Sequence, residues 1–378
     1  MATSPRSLRR RAAWAAPVVT AAVIGGVALL PSTASASAHP TLPSRTAAQL
    51  LADVQTAQVS ALSGTIVETA RLGLPSLPGA DNTAALSAQT LVSGTHTARV
   101  WLDGPEHQRL ALLGQLSESD VVHNGADLWT YASSSQKVQH TVLPVHGVEK
   151  AGADKAGAGK APSPTDVGSA TPQGAAEQAL RAVDPTTTVT VERTERVAGR
   201  AAYTLVLAPR DSRSTVRRVA IAIDAVKKVP LRVQIFGAGA KPAFETAYTD
   251  VSFARPAASV FTFRAPRGST VTTKTLAAPT AATRDHAEAT RPARSMSPTT
   301  IGTGWTTVLV LPAGTGSAAL TGGKDSTGAL LGRLTTTLPS GDRLLQSALV
   351  NALMTRDGRV LVGAVSPAVL QAAAGQRG

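Results

Sequence analysis

Residues 120–144 read DVVHNGADLWTYASSSQKVQHTVLP. β-prone residues alternate on both sides of His123-Asn124-Gly125. Asn-Gly between such runs is a strong hairpin signal, because a type I′ turn needs positive φ at both central residues. After Trp129 and Tyr131, Ser133-Ser134-Ser135 marks a second turn, and a further β-prone run starts at Lys137. The stretch predicts a meander of at least three antiparallel strands. By the period of two, Trp129 and Tyr131 share a face and commit together to one side of the sheet.

Working outward toward the N-terminus, Thr46-Ala47-Ala48-Gln49 has capping-box spacing. Leu50, Leu51, Val54, Ala57 and Ala61 follow at helical spacing, predicting an amphipathic helix over 46–62. Residues 64–69 then alternate as a strand, and 72–82, rich in Leu, Pro and Gly, form a loop or flap. Residues 91–102 and 108–117 read as two more strands around the turn Asp103-Gly104-Pro105. Toward the C-terminus, residues 147–173 are an Ala/Gly/Lys/Pro/Ser insert unable to bury a core. Pro172 opens a second helix with Ala175, Ala176, Ala179, Leu180 and Val183 inward. Strands are predicted at 187–197, 201–207, 217–224, 230–236, 244–253 and 259–265.

The chain has 378 residues, with 43% hydrophobic, 16% charged and only 3% aromatic residues. So few aromatics weigh against single-stranded nucleic-acid binding, which uses stacking platforms. The formal net charge is +13, but Arg6, Arg9, Arg10 and Arg11 sit at the N-terminus and leave about +9 spread over the remainder. No nucleic-acid partner is expected; an anionic lipid or membrane surface is the partner this charge admits. The absence of cysteine removes disulfides, thiol chemistry and a lipid-modified cysteine anchor.

Those arginines precede an apolar run over 12–30 and the small-residue exit STASASA at 32–38. This is the tripartite pattern of an export signal, ending at Ala36 or Ala38. Uncleaved, the same run is long enough to serve as a membrane anchor. Arg9-Arg10 leaves the Sec and twin-arginine routes open. Either way the rest of the chain is expected outside the cytoplasm.

The organisation read from these patterns is an export signal or anchor at 1–38, a main domain at 44–272 with the insert at about 147–171, a linker at 273–299 and a small α/β module at 300–375. In that module residues 304–311 read as a strand. Residues 344–355 and 359–365 form a hairpin over Arg356-Asp357-Gly358, and Ser366-Pro367 starts a short helix.

Three stretches carry a family resemblance. Asn124-Gly125-Ala126-Asp127-Leu128-Trp129-Thr130-Tyr131 resembles the "dG…lW.Y" hairpin of the LolA-like superfamily of lipoprotein carriers, which includes the RseB/MucB-type sigma-factor regulators. Residues 198–205, AGRAAYTL, resemble its "v.G..ay.L" strand pair, and 261–268, FTFRAPRG, its "F.F.pP.G" ending. The match spans roughly residues 46–271. It implies an α+β fold in which a twisted antiparallel sheet curls into an incomplete barrel, with helices on an apolar concave side that holds acyl chains.

The expected function is therefore an extracytoplasmic binding protein for a lipid, a lipoprotein acyl chain or a similar amphiphile. The alternative is a regulator that binds a membrane-bound anti-sigma factor or other protein. The expected cavity lining is Leu50, Val54, Trp101, Trp129, Tyr131, Tyr203, Phe261 and Phe263. Arg213, Arg217 and Arg218 are the candidate headgroup contacts. No catalytic residue, cofactor or metal is expected: the seven histidines fall at no metal-ligand spacing, and no nucleophile elbow, zinc-protease or phosphate-loop motif occurs.

Overall fold

The computed structural model describes residues 40–74, 93–114, 117–144, 171–181, 183–276, 298–313 and 334–376. The export signal and most of the 72–82 loop, the 147–171 insert and the 273–299 linker lie outside them. Among the described residues no helix is long and apolar enough to cross a membrane.

A meander of six strands opens the fold: β1 (Ala61–Arg71), β2 (Ser93–Asp103), β3 (His107–Leu113), β4 (Glu118–Asn124), β5 (Asp127–Ala132) and β6 (Lys137–Val142). A second set follows: β7 (Thr187–Val197), β8 (Arg200–Pro209), β9 (Arg218–Asp224), β10 (Pro230–Phe236), β11 (Phe244–Ser252) and β12 (Thr270–Thr275). They make one twelve-stranded sheet ordered β12-β6-β5-β4-β3-β2-β1-β11-β10-β9-β8-β7. The two meanders therefore join through the antiparallel pair β1–β11. Helix α1 (Ala47–Thr56) precedes the first meander, and α2 (Pro172–Arg181) precedes the second. The result is the expected α+β architecture, an antiparallel-dominated sheet curled into an incomplete barrel with helices on its concave side.

Local chemistry explains the helix ends. Thr46 Oγ1 accepts from Gln49 N at 3.2 Å while Gln49 Oε1 accepts from Thr46 N at 2.9 Å, closing the capping box. The helix stops at Thr56, several residues short of the expected 62. Ala57 is already extended, and Ala61 and Leu62 are taken by β1, opposite Asp103 and Leu102. Sheet pairing satisfies their backbone where a further helical turn would have left β2 unpartnered. At α2, Pro172 occupies the first helical position and Thr171 Oγ1 accepts from Gly174 N.

The hairpin turns differ from the expectation in an instructive way. Asn124 pairs with Asp127, so the turn residues are Gly125 and Ala126, and only Gly125 (φ 61°) has positive φ. Glycine at the first central position is the type II′ pattern, not type I′. The type I′ pattern occurs instead at Ala198 (φ 50°) and Gly199 (φ 73°), between the paired Val197 and Arg200.

Residues 259–265 do not form a strand. Ala258–Phe261 is a 3₁₀ turn, and the segment crosses the sheet over β3 and β4, where the Val260 carbonyl accepts from Arg109 Nη1 at 3.3 Å. The chain then re-enters the sheet as β12, which pairs parallel with β6 and extends to Thr275. Otherwise every pairing in this sheet is antiparallel.

Residues from 298 onward add a six-stranded sheet ordered β13-β14-β18-β17-β16-β15. Its strands are β13 (Thr299–Ile301), β14 (Val308–Leu311), β15 (Thr335–Thr337), β16 (Arg343–Leu345), β17 (Asn351–Met354) and β18 (Val360–Gly363). Helix α3 (Pro367–Gly375) packs on β17 and β18, and Leu353, Leu361 and Leu370 are fully buried there. Two predicted strands break. Residues 304–306 make a 3₁₀ turn before β14, and 346–350 leave the sheet between β16 and β17 to dock on the large sheet. Ala348 N donates to Leu72 O, Thr215 Oγ1 to Leu349 O and Trp305 Nε1 to Thr187 Oγ1.

Candidate functional site

Antiparallel register assigns each side chain to a face, because directly paired residues point the same way. One row runs Leu205–Ile221–Val233–Thr246–Glu68–His96 across β8, β9, β10, β11, β1 and β2. On one side of it lies Leu207–Val219–Ile235–Phe244–Ala70. On the other, Ile66, Ala98 and Leu112 are paired across β1 to β3, followed by Val100, Leu110 and Val121. This is the helix-bearing inner face. Leu50 of α1 and Ala176 of α2 are both fully buried in a cluster with Tyr203, Leu205, Ile221 and Val233. Ala175, Ala179 and Leu180 place α2 in that cluster as the sequence predicts.

The opposite face carries the row Ser63–Trp101–Arg109–Val122–Trp129–His140 and, beside it, Asp120–Tyr131–Val138. Trp129 stacks on His140 with ring centroids 3.8 Å apart and planes 3° apart, and on Phe263 at 5.3 Å. Tyr131 meets Phe263 at 6.3 Å, and His107 meets the buried Phe261 at 5.8 Å. Arg109 lies 5.5 Å from the Trp101 ring and pairs with Asp120 at 3.0 Å. His140 Nε2 lies 2.6 Å from Asp127 Oδ1, a carboxylate that sequence spacing did not place beside it and the β5–β6 hairpin does.

The eight residues expected to line one cavity thus divide between two surfaces. Leu50, Val54 and Tyr203 lie on the inner side, where the Tyr203 hydroxyl donates to Pro43 O at 2.9 Å. Trp101, Trp129, Tyr131, Phe261 and Phe263 lie outside, where the 258–263 segment covers the aromatic row. The three arginines are held locally. Arg213 is bonded to Asp211 at 2.7 Å, and Arg217 Nη1 donates to Ser212 O. Arg218 bonds Glu192 and lies 4.0 Å from the Phe236 ring centroid.

What the sequence reading missed is polar and sits within the inner face. Glu68 is only 8% exposed and Thr246, its cross-strand partner, 1%. Neither Glu68 Oε1 nor Thr246 Oγ1 has a hydrogen-bond partner. Burial pushes the Glu68 carboxyl up to about 7. On its other side stands His96, whose Nε2 is 2.9 Å from Ser93 O. Burial likewise lowers His123 on this face, outweighing its bond to Gly125 O, and raises the Tyr248 phenol. Period-two reading of residues 64–69 would have found Glu68, since it shares Ile66's face. Among the described residues no group of three or more His, Asp or Glu side chains is arranged to hold a metal ion.

The docking loop completes the inner face from the C-terminal side. Leu349 is 7% exposed and belongs to the same cluster as Leu50, Tyr203 and Val233, with Ala348, Ala364 and Trp305 packed against it. Gly237 makes the approach feasible: a Cβ there would stand 2.6 Å from the Ala348 carbonyl oxygen.

No family model matches the chain, and no curated protein matches it. Solved structures do show likeness. The chain is similar to the MucA/MucB complex of Pseudomonas aeruginosa at 14% identity, over 86% of this chain and 96% of that one, with a TM-score of 0.41. An uncharacterized conserved protein from Thermus thermophilus is similar at 12% identity, over 60% and 99% of the two chains, with a TM-score of 0.32. A LolA superfamily protein from Nitrosomonas europaea is similar at 12% identity, over 58% and 99%, with a TM-score of 0.22.

Proposed function

We propose that this protein is an extracytoplasmic, non-catalytic binding protein that holds a lipid, a lipoprotein acyl chain or a similar amphiphile against the inner face of its curled sheet. The observation carrying this reading is the composition of that face: apolar rows run across β1–β3 and β8–β11, and the latter are covered by α1 through Leu50, Leu51 and Val54 and by α2 through Ala175, Ala176 and Ala179. Each methylene moved from water onto such a surface contributes about 0.8 kcal/mol. The alanines of α2 lose little burial when that helix lifts to admit a chain. On this reading Leu50, Val54 and Tyr203 contact the bound chain. The motif resemblance described above implies the same ligand class.

Saturable binding of the uncharged dye N-phenyl-1-naphthylamine, displaced by dodecanol, tests this reading. Fluorescence that never saturates, or that dodecanol does not displace, would refute it.

A second reading is favoured by the Leu349 contact. A regulator binding a membrane-bound anti-sigma factor or other protein would need its inner face to communicate with its second module, and Leu349 joins the two. Pull-down from envelope membranes separates the readings: a stoichiometric protein partner without extractable lipid favours regulation, and extractable acyl chains favour carriage.

A further inference from the structure

We propose that Glu68 and Thr246 are the polar anchor of the inner-face site and select an amphiphile whose head carries a protonated amine. This rests on the reading that the inner face takes an amphiphile, and adds which head it takes. The two residues are directly paired across β1 and β11, so their side chains rise from the same face side by side. Apolar rows flank them on both sides, Ile235–Phe244–Ala70 and Tyr248–Ile66–Ala98.

Buried polar atoms are normally bonded, yet Glu68 Oε1 and Thr246 Oγ1 are both without a partner. Glu68 belongs to none of the ion pairs among the described residues. An ionised carboxylate only accepts, so what it lacks is a donor, and a cationic donor most of all. A primary ammonium has three N–H groups: one can meet Glu68 and another the Thr246 hydroxyl oxygen, while the attached chain lies along the apolar rows. A fatty carboxylate at the same place would face a like charge. Burial already raises the Glu68 carboxyl toward neutrality, as expected of a group that has no compensating cation.

Titration calorimetry at pH 8 with dodecylamine, dodecanol and laurate, each below its micellar concentration, tests the anchor. The full chain is expected to bind dodecylamine at least tenfold more tightly than laurate. Glu68→Gln should abolish that preference, and Thr246→Val should weaken dodecylamine binding. The amine-over-laurate preference is read on the unaltered protein, so it stands even if a variant fails to fold. Dodecanol binding with no amine preference would overturn the anchor and leave the amphiphile reading intact. No binding of any of the three would overturn both. Lauroyl-lysophosphatidylethanolamine and an acylated peptide with a free amino terminus present the same ammonium from two sources. Glu68-dependent binding of either supports the anchor.

Discussion

Replacing Glu68 by Gln should make the ligand-free protein more stable at alkaline pH and leave it unchanged in acid. In the folded chain burial raises this carboxyl from 4.5 to about 7. Below pH 4.5 the group is protonated in both folded and unfolded chains, and its burial carries no ionisation cost. As pH climbs from there toward 7, the unfolded chain releases the proton freely while the folded chain resists. Stability therefore falls across that window and levels off above it. The gap between the two values, at about 1.36 kcal/mol per unit, amounts to about 3 kcal/mol. Gln keeps the shape and cannot ionise. Urea unfolding followed by tryptophan fluorescence from pH 4 to 9 should give curves that coincide in acid and diverge by about 3 kcal/mol at pH 8. Parallel curves over the whole range would refute the claim that Glu68 is buried without a charged partner.

Four further outcomes follow from particular contacts. Asp224 is 1% exposed; burial alone would raise its carboxyl, but Arg200 and the Lys227 and Val226 amides outweigh that and hold it below the ordinary range. Asp224→Asn should cost about 2 kcal/mol or more at pH 7, and the difference should shrink as pH falls below the ordinary carboxylate range, because the wild-type contribution is lost there. Leu349→Ala should lower stability by about 2–4 kcal/mol, and Gly237→Ala should expose the 346–350 loop to limited proteolysis, since its Cβ collides with the Ala348 carbonyl. Phe263→Ala should cost about 3 kcal/mol in urea unfolding yet leave dodecanol affinity unchanged, because its ring packs on Trp129 and Tyr131 of the face away from the helices.

The strand inventory was legible wherever period-two alternation met a turn signal, as at 187–197 and 230–236, which the structure reproduces to the residue. The turn at 124–126 shows the limit. Asn-Gly announces a hairpin, but which residues become central depends on the pairing of Asn124 with Asp127, a choice made by the whole ladder. The aromatic segment at 259–265 looked like a strand because Phe261 and Phe263 alternate. It crosses the sheet instead, and both rings still land on one surface, so alternation alone did not distinguish pairing from packing. Face assignment was the largest gap. Trp129 and Tyr131 do commit together, yet nothing local says which side of the sheet bears helices, since that follows from α1 and α2 packing near residues far away in sequence. Glu68 was readable as a charge on an apolar face, and its significance emerges only once Thr246, nearly two hundred residues later, is brought beside it.

Native mass spectrometry of the protein purified from its own envelope tests the central claim most directly. The account predicts a bound species whose mass matches an acyl amphiphile, released on organic extraction and diminished by Glu68→Gln. Protein recovered only at its own mass, with no extractable acyl chain, would contradict it.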